Sequence, residues 1–295
     1  MQLEYDLYAI DTKFIIDAGR IINSGTLKNI AGLSKRIRYV PLKDTWLMED
    51  LIHTFKDKRY SNILSPPDTN QKIIHYMSRI KMPEKILSEL LYMKRLTAYT
   101  YHHVMVIAIV SAKISLDTSL KYKYKPDMAM LLSLFHDIGK SRIPLSVLDK
   151  CTPITIRERH LLTAHPLIGY ILLHYYFGKD HKEYAFASFQ HHERLDGSGY
   201  PMGIKKLNKY SQLIGVVDTL DALISERPYR SRPFTLRAAI DHLLGEAEKG
   251  KFNKNFVYTL IRYSRKEPSG TKLVLSKKGR DKEPDENSYG KIAES

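Results

Sequence analysis

The chain has 295 residues, of which 43% are hydrophobic and 27% are charged, and its formal net charge is +15. These totals are typical of a soluble globular protein with one main domain and a smaller one. The longest apolar runs, at 104–110 and 130–135, are far shorter than the roughly 20 residues that span a bilayer. Because the amino terminus also lacks the pattern of an export signal, we predict a cytoplasmic protein.

The single cysteine, Cys151, excludes an internal disulfide and a cysteine-rich zinc site. Most of the excess positive charge lies within residues 81–264 and not in a basic tail. Such a field favours anionic ligands, whether nucleotides, nucleic acid or acidic lipid, and a solvated basic surface explains the composition equally well.

The first 80 residues mix short segments that suit strands with one helical pattern. The sequence SPPDTN at 65–70 has the composition of a linker. We therefore assign 1–80 as a small N-terminal segment of mixed α/β or irregular structure, with no role that the sequence identifies.

Residues 81–265 are predicted to be helical almost throughout. Apolar residues recur at helical spacing over 83–96, 99–116, 127–138, 155–176, 181–192, 208–225, 235–248 and 253–263. Pro166 is expected to split the fourth helix, because a proline removes a helix hydrogen bond and clashes with the preceding turn. The last residues, 266–295, have few apolar side chains and are predicted to form a disordered charged tail.

Histidines and aspartates recur at the ends and breaks of these predicted helices. The pair His136 and Asp137 stands just before Gly139, a plausible helix stop, and His165 directly precedes Pro166. The full set in chain order is His103 (with His102 as its alternative), His136, Asp137, His165, His191, His192, Asp218 and Asp221. Imidazole and carboxylate ligands without thiolate suit Fe, Mn or Zn better than Mg.

The blocks that carry these residues resemble the HD-GYP branch of the HD phosphohydrolases, bacterial phosphodiesterases that act on cyclic di-GMP. The matching blocks extend from about Tyr99 to Val257 and read YTYHH, LLSLFHDIGKSRIP, LLTAHPLIG, QHHERLDGSGYPMG and VVDTLDALISERPYR. The resemblance implies a mostly α fold, an HD-domain helical bundle over 81–265. It also implies that Gly199, Tyr200 and Pro201 form the motif turn. Taken alone, the sequence DGSGYP fits a simple turn in which Gly197 and Gly199 are free to adopt positive φ.

The resemblance implies a binuclear metal centre in which the Asp137 carboxylate bridges two divalent transition metals, Fe or Mn before Zn, Mg or Ni. One metal would take His103, His136, Asp137 and Asp218, and the other would take Asp137, His165, His191 and His192. Some family members bind a third metal through a glutamate four residues before the first histidine ligand. Here that position is Tyr99, so we expect two metals.

The implied reaction is hydrolysis of cyclic di-GMP to linear pGpG by a hydroxide that two metals activate, with GMP slow or absent. Lys140 is expected to bind phosphate or assist the leaving group, and Arg227 and Arg230 are expected to contact substrate phosphate. Tyr200 is expected at the wall of the substrate cleft. Asp221 is predicted to contact substrate, and one turn after Asp218 it is expected to orient neighbouring side chains instead of binding a metal.

The sequence departs from the family pattern at Asn208, Gln212 and Asn253, where proline, arginine and aspartate are usual. These positions are not ligands, so the departures concern affinity for substrate. Two other functions stay open: hydrolysis of another nucleotide such as cyclic GMP-AMP, and a metal-binding signalling scaffold with little catalysis. A diguanylate cyclase or other signalling protein could contact the GYP region, and no specific nucleic-acid binding is expected.

Overall fold

The computed structural model describes residues 1–34, 36–64, 67–122, 124–178, 182–226 and 232–264. Arg227, Arg230 and the predicted tail at 266–295 lie outside the described residues. Within them, the α-helices in chain order are α1 Ser24–Gly32, α2 Trp46–Thr54, α3 Ser61–Leu64, α4 Pro67–Ser78, α5 Glu84–Leu96, α6 Ala98–Tyr122, α7 Pro126–Phe135, α8 Leu145–Leu148, α9 Ile156–Thr163, α10 His165–Phe177, α11 Lys182–Gln190, α12 Lys209–Ile224, α13 Leu236–Glu248 and α14 Lys254–Ser264. The predicted mostly helical fold is confirmed.

Two short antiparallel strand pairs accompany the helices. The strands are β1 Leu7–Tyr8, β2 Phe14–Ile16, β3 Tyr39–Pro41 and β4 Lys81–Pro83. β1 pairs with β2, and β3 pairs with β4 through Val40 opposite Met82. The second pair therefore joins the N-terminal segment to the residues that lead into α5.

Helix α6 is the central element of the bundle and packs against α2, α5, α7 and α12. All side chains of its apolar run at 104–110 are buried. A helix that is apolar on every side must be surrounded by other elements, which explains its central position. α10 is similarly buried and packs against α11 and against a 3-10 turn, Ile138–Arg142, that follows α7.

The predicted break at Pro166 is confirmed, because α9 ends at Thr163 and α10 begins at His165 with the proline in its first turn. A proline is tolerated there because the first backbone N–H groups of a helix have no partner within the helix. The start of α9 is fixed by a capping box. The Thr155 hydroxyl accepts from the backbone N–H of Glu158, and the Glu158 carboxylate accepts from the backbone N–H of Thr155.

The N-terminal segment contains more helix than the sequence predicted. Instead of one helix it forms α1, α2, α3 and α4, and residues 67–70 are the first turn of α4 and not part of a linker. The Pro-Pro pattern was misleading because Pro67 occupies a first-turn position, where proline fits. No helix among the described residues combines the length and apolarity needed to cross a membrane.

Candidate metal centre

The histidines and aspartates of the predicted set converge from five helices. His103 lies in α6, and His136 and Asp137 follow the last turn of α7. The others are the first residue of α10 (His165), the two residues after α11 (His191, His192) and a residue in the middle of α12 (Asp218). Because five of these seven residues lie at helix ends, their side chains can point into one space between the helices.

The side chains form two groups, each with ligand atoms within 4.8 Å of one another. One group is His103, His136 and Asp218, and the other is Asp137, His165, His191 and His192. This division is the one that the family resemblance implied, apart from the sharing of Asp137. All of these side chains are buried except His192, which is partly buried.

The Asp137 carboxylate lies between the two groups. Its Oδ2 is 3.4 Å from His136 Nε2 and 3.6 Å from His103 Nε2. Its Oδ1 is 3.2 Å from His165 Nε2 and 3.6 Å from His191 Nε2. One oxygen therefore faces each group, which is the arrangement that a bridging carboxylate requires.

Three of the histidines are oriented by a backbone carbonyl three residues earlier in the chain. The Nδ1 atoms of His136, His165 and His191 lie 2.6, 2.6 and 2.7 Å from the carbonyl oxygens of Ser133, Leu162 and Ser188. A carbonyl accepts only, so each Nδ1 carries the proton and donates it. In the neutral ring Nε2 then presents its lone pair to the centre, as metal-ligating histidines do.

His103 is oriented by a carboxylate instead. Its Nδ1 lies 2.6 Å from Asp221 Oδ2, while its Nε2 lies 3.2 Å from Asp218 Oδ1 on the other side of the ring. Asp221 is 1% exposed, and its other oxygen accepts from the Tyr60 and Ser225 hydroxyls. Both oxygens are engaged by protein donors, so the structure favours the orienting role of Asp221 over its predicted contact with substrate.

A pair of divalent cations fits this donor set. His136 Nε2 and Asp137 Oδ1 are buried, and neither has a hydrogen-bond partner within the part of the chain that the structure describes. The Nε2 lone pairs of His136, His165 and His191 face oxygens of the Asp137 carboxylate, which are also acceptors, and a cation between them removes this repulsion. Imidazole and carboxylate ligands suit Fe, Mn or Zn.

The pKa values of the site follow from burial and charge. Burial lowers the pKa of His165, and it lowers the pKa of His191 to about 4, so both rings are neutral near pH 7 and free to ligate. Burial would raise the pKa of Asp137, but Lys140 and the neighbouring histidines outweigh it and hold that pKa well below its usual range. For His103, burial is outweighed by Asp218 and Asp221, which raise its pKa to about 9.

Lys140 and Tyr200 border the two groups. The Lys140 ammonium is 2.6 Å from Asp137 Oδ2, and its side chain is partly exposed. The Tyr200 ring is stacked on His192, with centroids 4.6 Å apart. Both predicted substrate contacts therefore adjoin the candidate metal ligands, one from the turn after α7 and one from the GYP loop, which we define as residues 193–204.

Glu193 holds this GYP loop, a role that no sequence pattern indicates. Its carboxylate is 3% exposed and accepts from the backbone N–H groups of Met202 and Ile204 at 2.7 and 3.1 Å. Of the two glycines that are free to adopt positive φ, Gly197 does so, at +87°, and Gly199 does not. Gly199 is needed for space instead, because a Cβ there would lie 2.4 Å from the Glu193 Cα.

Gly139 was predicted as a helix stop, but α7 already ends at Phe135. An added Cβ at Gly139 would lie 2.0 Å from the carbonyl oxygen of His165 and 2.6 Å from the backbone nitrogen of Gly169. The glycine therefore lets the turn that carries Asp137 pack directly against α10, which carries His165.

The structure places His103, and not His102, in the candidate site. The His102 side chain is 52% exposed and contacts Asp57 and Arg59. Arg59 and Tyr60 are residues that the sequence analysis missed, because their contacts with Asp221 join positions more than 160 residues apart. No local pattern marks such a contact.

The fold and this arrangement define a helical His/Asp protein with a candidate binuclear metal centre. A family model described as HD domain matches residues 86–255, more than half of the chain. This chain belongs to the HD domain family, and it is related to the HD-GYP cyclic di-GMP phosphodiesterases.

Curated relatives include cyclic dinucleotide phosphodiesterases of three bacteria. A cyclic di-GMP phosphodiesterase response regulator of Xanthomonas campestris is 38% identical over 43% of this chain and 34% of its own length. A cyclic di-GMP phosphodiesterase of Pseudomonas aeruginosa is 27% identical over 67% of this chain and 48% of its own. A 3′3′-cGAMP-specific phosphodiesterase of Vibrio cholerae is 28% identical over 56% of this chain and 38% of its own. The chain thus spans between a third and a half of the length of these relatives.

Proposed function

We propose that this protein is a metal-dependent phosphodiesterase that hydrolyses a cyclic dinucleotide, with cyclic di-GMP as the first candidate. The observation that carries the proposal is the Asp137 carboxylate, which turns one oxygen toward each of two groups of buried ligand atoms. The relatives named as cyclic di-GMP phosphodiesterases support the substrate class.

Each side chain has a separate task in this proposal. His103, His136 and Asp218 would hold one divalent metal, His165, His191 and His192 would hold the other, and Asp137 would bridge them. Metals bound here supply an activated water and neutralise charge on the phosphodiester. The Nδ1 contacts of the histidines keep Nε2 unprotonated and aimed at the centre, so little reorganisation is needed when a metal binds.

Lys140 is the residue that we assign to the phosphate and the leaving group. Its ammonium already lies beside the Asp137 carboxylate, at the edge of both ligand groups. There it can donate to a phosphate oxygen, and it can lend a proton to the departing 3′ oxygen. Tyr200, stacked on His192, would form the facing wall of the cleft.

Arg227 and Arg230 stay predicted phosphate contacts, since both lie outside the described residues. Replacing both with alanine should raise the KM for substrate by about tenfold or more while leaving metal content unchanged. Each charge-assisted hydrogen bond contributes about 1.5–3 kcal/mol. Steady-state kinetics combined with elemental analysis measure both quantities, and an unchanged KM would assign the arginines to structure alone.

Cyclic GMP-AMP is the second candidate substrate, because a relative named for that activity matches over 56% of the chain. Wild-type protein loaded with Mn or Fe should be incubated with cyclic di-GMP, cyclic di-AMP and 3′3′-cyclic GMP-AMP, and the products separated by chromatography. We expect the fastest turnover for cyclic di-GMP. Faster turnover of cyclic GMP-AMP would select the second candidate, and no turnover of any of them would favour the scaffold function.

The same time course identifies the product. The Tyr99 ring, which is stacked on His103 with centroids 6.5 Å apart, cannot supply the carboxylate that a third metal needs. With two metals the site is less suited to holding a terminal phosphate for a second cut. We therefore expect linear pGpG to accumulate, and GMP appearing as fast as pGpG would contradict this.

A further inference from the structure

A turn of the N-terminal segment reaches the back of the candidate metal centre. The Tyr60 hydroxyl donates to Asp221 Oδ1 at 2.6 Å, and the Tyr60 side chain is fully buried. The Arg59 guanidinium lies 3.5 Å from the same oxygen and also donates to the Ser225 hydroxyl. The other oxygen of Asp221 accepts from His103 Nδ1.

This turn is itself fixed in place. The Asp57 carboxylate accepts from the Arg59 backbone N–H at 3.0 Å and pairs with the Arg59 guanidinium at 2.6 Å. His102, the neighbour of His103 in α6, contacts Asp57 at 3.1 Å and Arg59 at 3.0 Å. The turn at 57–60 is thus joined both to α6 and to α12.

Tyr60 and Arg59 contact the carboxylate that orients His103, a candidate ligand whose Nδ1 is not held by a nearby backbone carbonyl. The Nδ1 atoms of His136, His165 and His191 each donate to a carbonyl three residues earlier, whereas His103 depends on a carboxylate from another helix. Asp221 must therefore be held still if His103 is to stay aimed. Buried carboxylates keep one orientation only when donors fix them.

We propose that Tyr60 and Arg59 are positioning residues for the metal bound by His103, acting through Asp221. The N-terminal segment then completes the metal centre of the helical domain, which gives residues 1–80 a function. The inference concerns metal binding and can be tested without any substrate.

The test compares the Mn²⁺ affinity of wild-type protein and Tyr60→Phe, by calorimetric titration of metal-free protein. Tyr60→Phe keeps the ring and removes the hydroxyl. Mutating a hydrogen-bond partner of a ligating histidine typically lowers metal affinity by about 10- to 100-fold. Tyr60 contacts such a partner, Asp221, and not the histidine itself, so we expect a loss of about tenfold. Only one of the two Mn²⁺ ions should bind more weakly. Electron paramagnetic resonance should then show fewer magnetically coupled Mn²⁺ pairs and more isolated Mn²⁺ ions.

Tyr176→Phe is the matched control. Tyr176 is also buried, and its hydroxyl also donates to a buried carboxylate, that of Glu89, which is not in either group of candidate ligands. It should leave both Mn²⁺ affinities unchanged. Equal losses in the two variants would mean that Tyr60 acts on general stability, and unchanged affinities in Tyr60→Phe would overturn the proposal.

A mutant cycle tests whether the effect passes through Asp221. In an Asp221→Asn background, Tyr60→Phe should cause no further loss of Mn²⁺ affinity, because the coupling partner is already altered. A full additional loss would contradict the proposed route. Arg59→Met provides a second variant should Tyr60→Phe not fold, since the Arg59 side chain is 31% exposed. It should also weaken the binding of one Mn²⁺ ion, and normal affinity for both ions would overturn the proposal.

A cavity next to Lys140 carries an independent inference. Its volume is about 320 Å³, and the residues that line it include Tyr92, Leu96, Thr97, Lys140, Ser141 and Leu145. Lys140 also contacts Asp137, so the cavity shares a wall with the candidate metal centre. Tyr92, Leu96 and Leu145 are each 40% exposed, which is a large exposed fraction for apolar side chains grouped around one opening.

We infer that this cavity takes a nucleobase of the substrate, an inference that rests on the proposed function. A phosphate placed against Lys140 would have its attached nucleoside within reach of the cavity. An aromatic ring with aliphatic neighbours, as Tyr92 has in Leu96 and Leu145, suits the face of a heteroaromatic base.

Equilibrium binding separates this inference from the proposed function. We would measure the Kd of GMP and of ribose 5-phosphate, the same phosphate without the base, on Mn²⁺-loaded protein. In wild-type protein GMP should bind about tenfold more tightly, and Tyr92→Ala should abolish most of this difference. Tyr92→Phe should retain it, and Tyr258→Ala, at an exposed tyrosine of α14, should not change it.

Two results would overturn the subsite: equal Kd values for GMP and ribose 5-phosphate in wild-type protein, or an unchanged ratio in Tyr92→Ala. Neither depends on turnover. A protein that distinguishes the two ligands but hydrolyses no cyclic dinucleotide would refute the proposed function and leave the base subsite intact.

Discussion

Asp137 joins the two halves of the candidate metal centre, because each of its oxygens faces a different group of histidines. Asp137→Asn keeps the size of the side chain but removes the charge that two cations share. We expect the variant to lose both metals and all measurable phosphodiesterase activity. Elemental analysis after gel filtration checks the metal content, with Asp241→Asn, an exposed position on α13, as the control. Two metals per chain in Asp137→Asn would exclude the bridging role.

Gly139 and Gly245 offer a matched pair of glycine substitutions. A Cβ at Gly139 would lie 2.0 Å from the His165 carbonyl oxygen, whereas a Cβ at Gly245, within α13, would have no atom within 4 Å. Gly139→Ala should lower the free energy of unfolding by about 1–3 kcal/mol, the usual cost of overpacking. Gly245→Ala should raise it by roughly 0.5–1 kcal/mol, because alanine favours helix.

Urea denaturation of the two variants measures both changes. Gly139→Ala should also weaken metal binding, since the turn that carries Asp137 must move away from His165. A neutral Gly139→Ala would mean that the turn and α10 can separate without cost.

The candidate ligands could be predicted from sequence because residue type and helix breaks are local properties. His165 before Pro166 and His136 next to Asp137 are visible in a linear pattern. The reason for Gly139 could not be seen in this way. Its function depends on the backbone of α10, about 25 residues later, and a stop signal was the nearest local explanation.

At the scale of elements, α5 to α7 and α9 to α14 follow the predicted helical periods closely, because long amphipathic or buried helices leave a strong apolar pattern. The four-residue helix α8 lies outside every predicted range. The N-terminal segment was less predictable. Its helix α3 has four residues and its strands have two or three, so their conformation depends on tertiary packing. The β3 and β4 strands also pair across about 40 intervening residues.

The GYP loop depends on one buried carboxylate. Glu193 accepts from the backbone N–H groups of Met202 and Ile204 at the end of the loop. Tyr200, which lies between Glu193 and these donors in the sequence, stacks on His192. Glu193→Ala would leave both donors without their partner, at a cost of about 1–3 kcal/mol for each buried group. We expect a lower free energy of unfolding and faster proteolysis within 195–204, with metal content unchanged.

Limited proteolysis followed by mass spectrometry locates the cleavage sites in Glu193→Ala. Glu193→Gln is the informative comparison, because its amide oxygen can still accept from one N–H group and its effect should be intermediate. Cleavage rates equal to those of the wild-type protein would show that the loop is held by other contacts.

At the scale of the molecule, the N-terminal segment and the helical domain share buried polar contacts at two places. One is the turn at 57–60 behind Asp221. The other is Glu89, fully buried in α5, which accepts from Arg142 and from Tyr176. Arg142 also donates to the Tyr8 carbonyl, and Ile10 N–H donates to the Tyr176 hydroxyl. Glu89 orients Arg142 and Tyr176, and these two side chains in turn contact the backbone of Tyr8 and Ile10, so each region should stabilise the other.

Because the candidate ligands come from α6, α7, α10, α11 and α12, metal binding should stabilise the whole bundle. A ligand that binds only the folded state adds about 2.7 kcal/mol when its concentration is 100 times its Kd. For a chain of this size that corresponds to a rise in Tm on the order of 5–10 °C. Calorimetric melting of Mn²⁺-loaded and chelator-treated protein measures the difference, and Asp137→Asn should show none. Equal Tm values for wild-type protein with two bound metals and without metal would contradict a centre that joins these five helices.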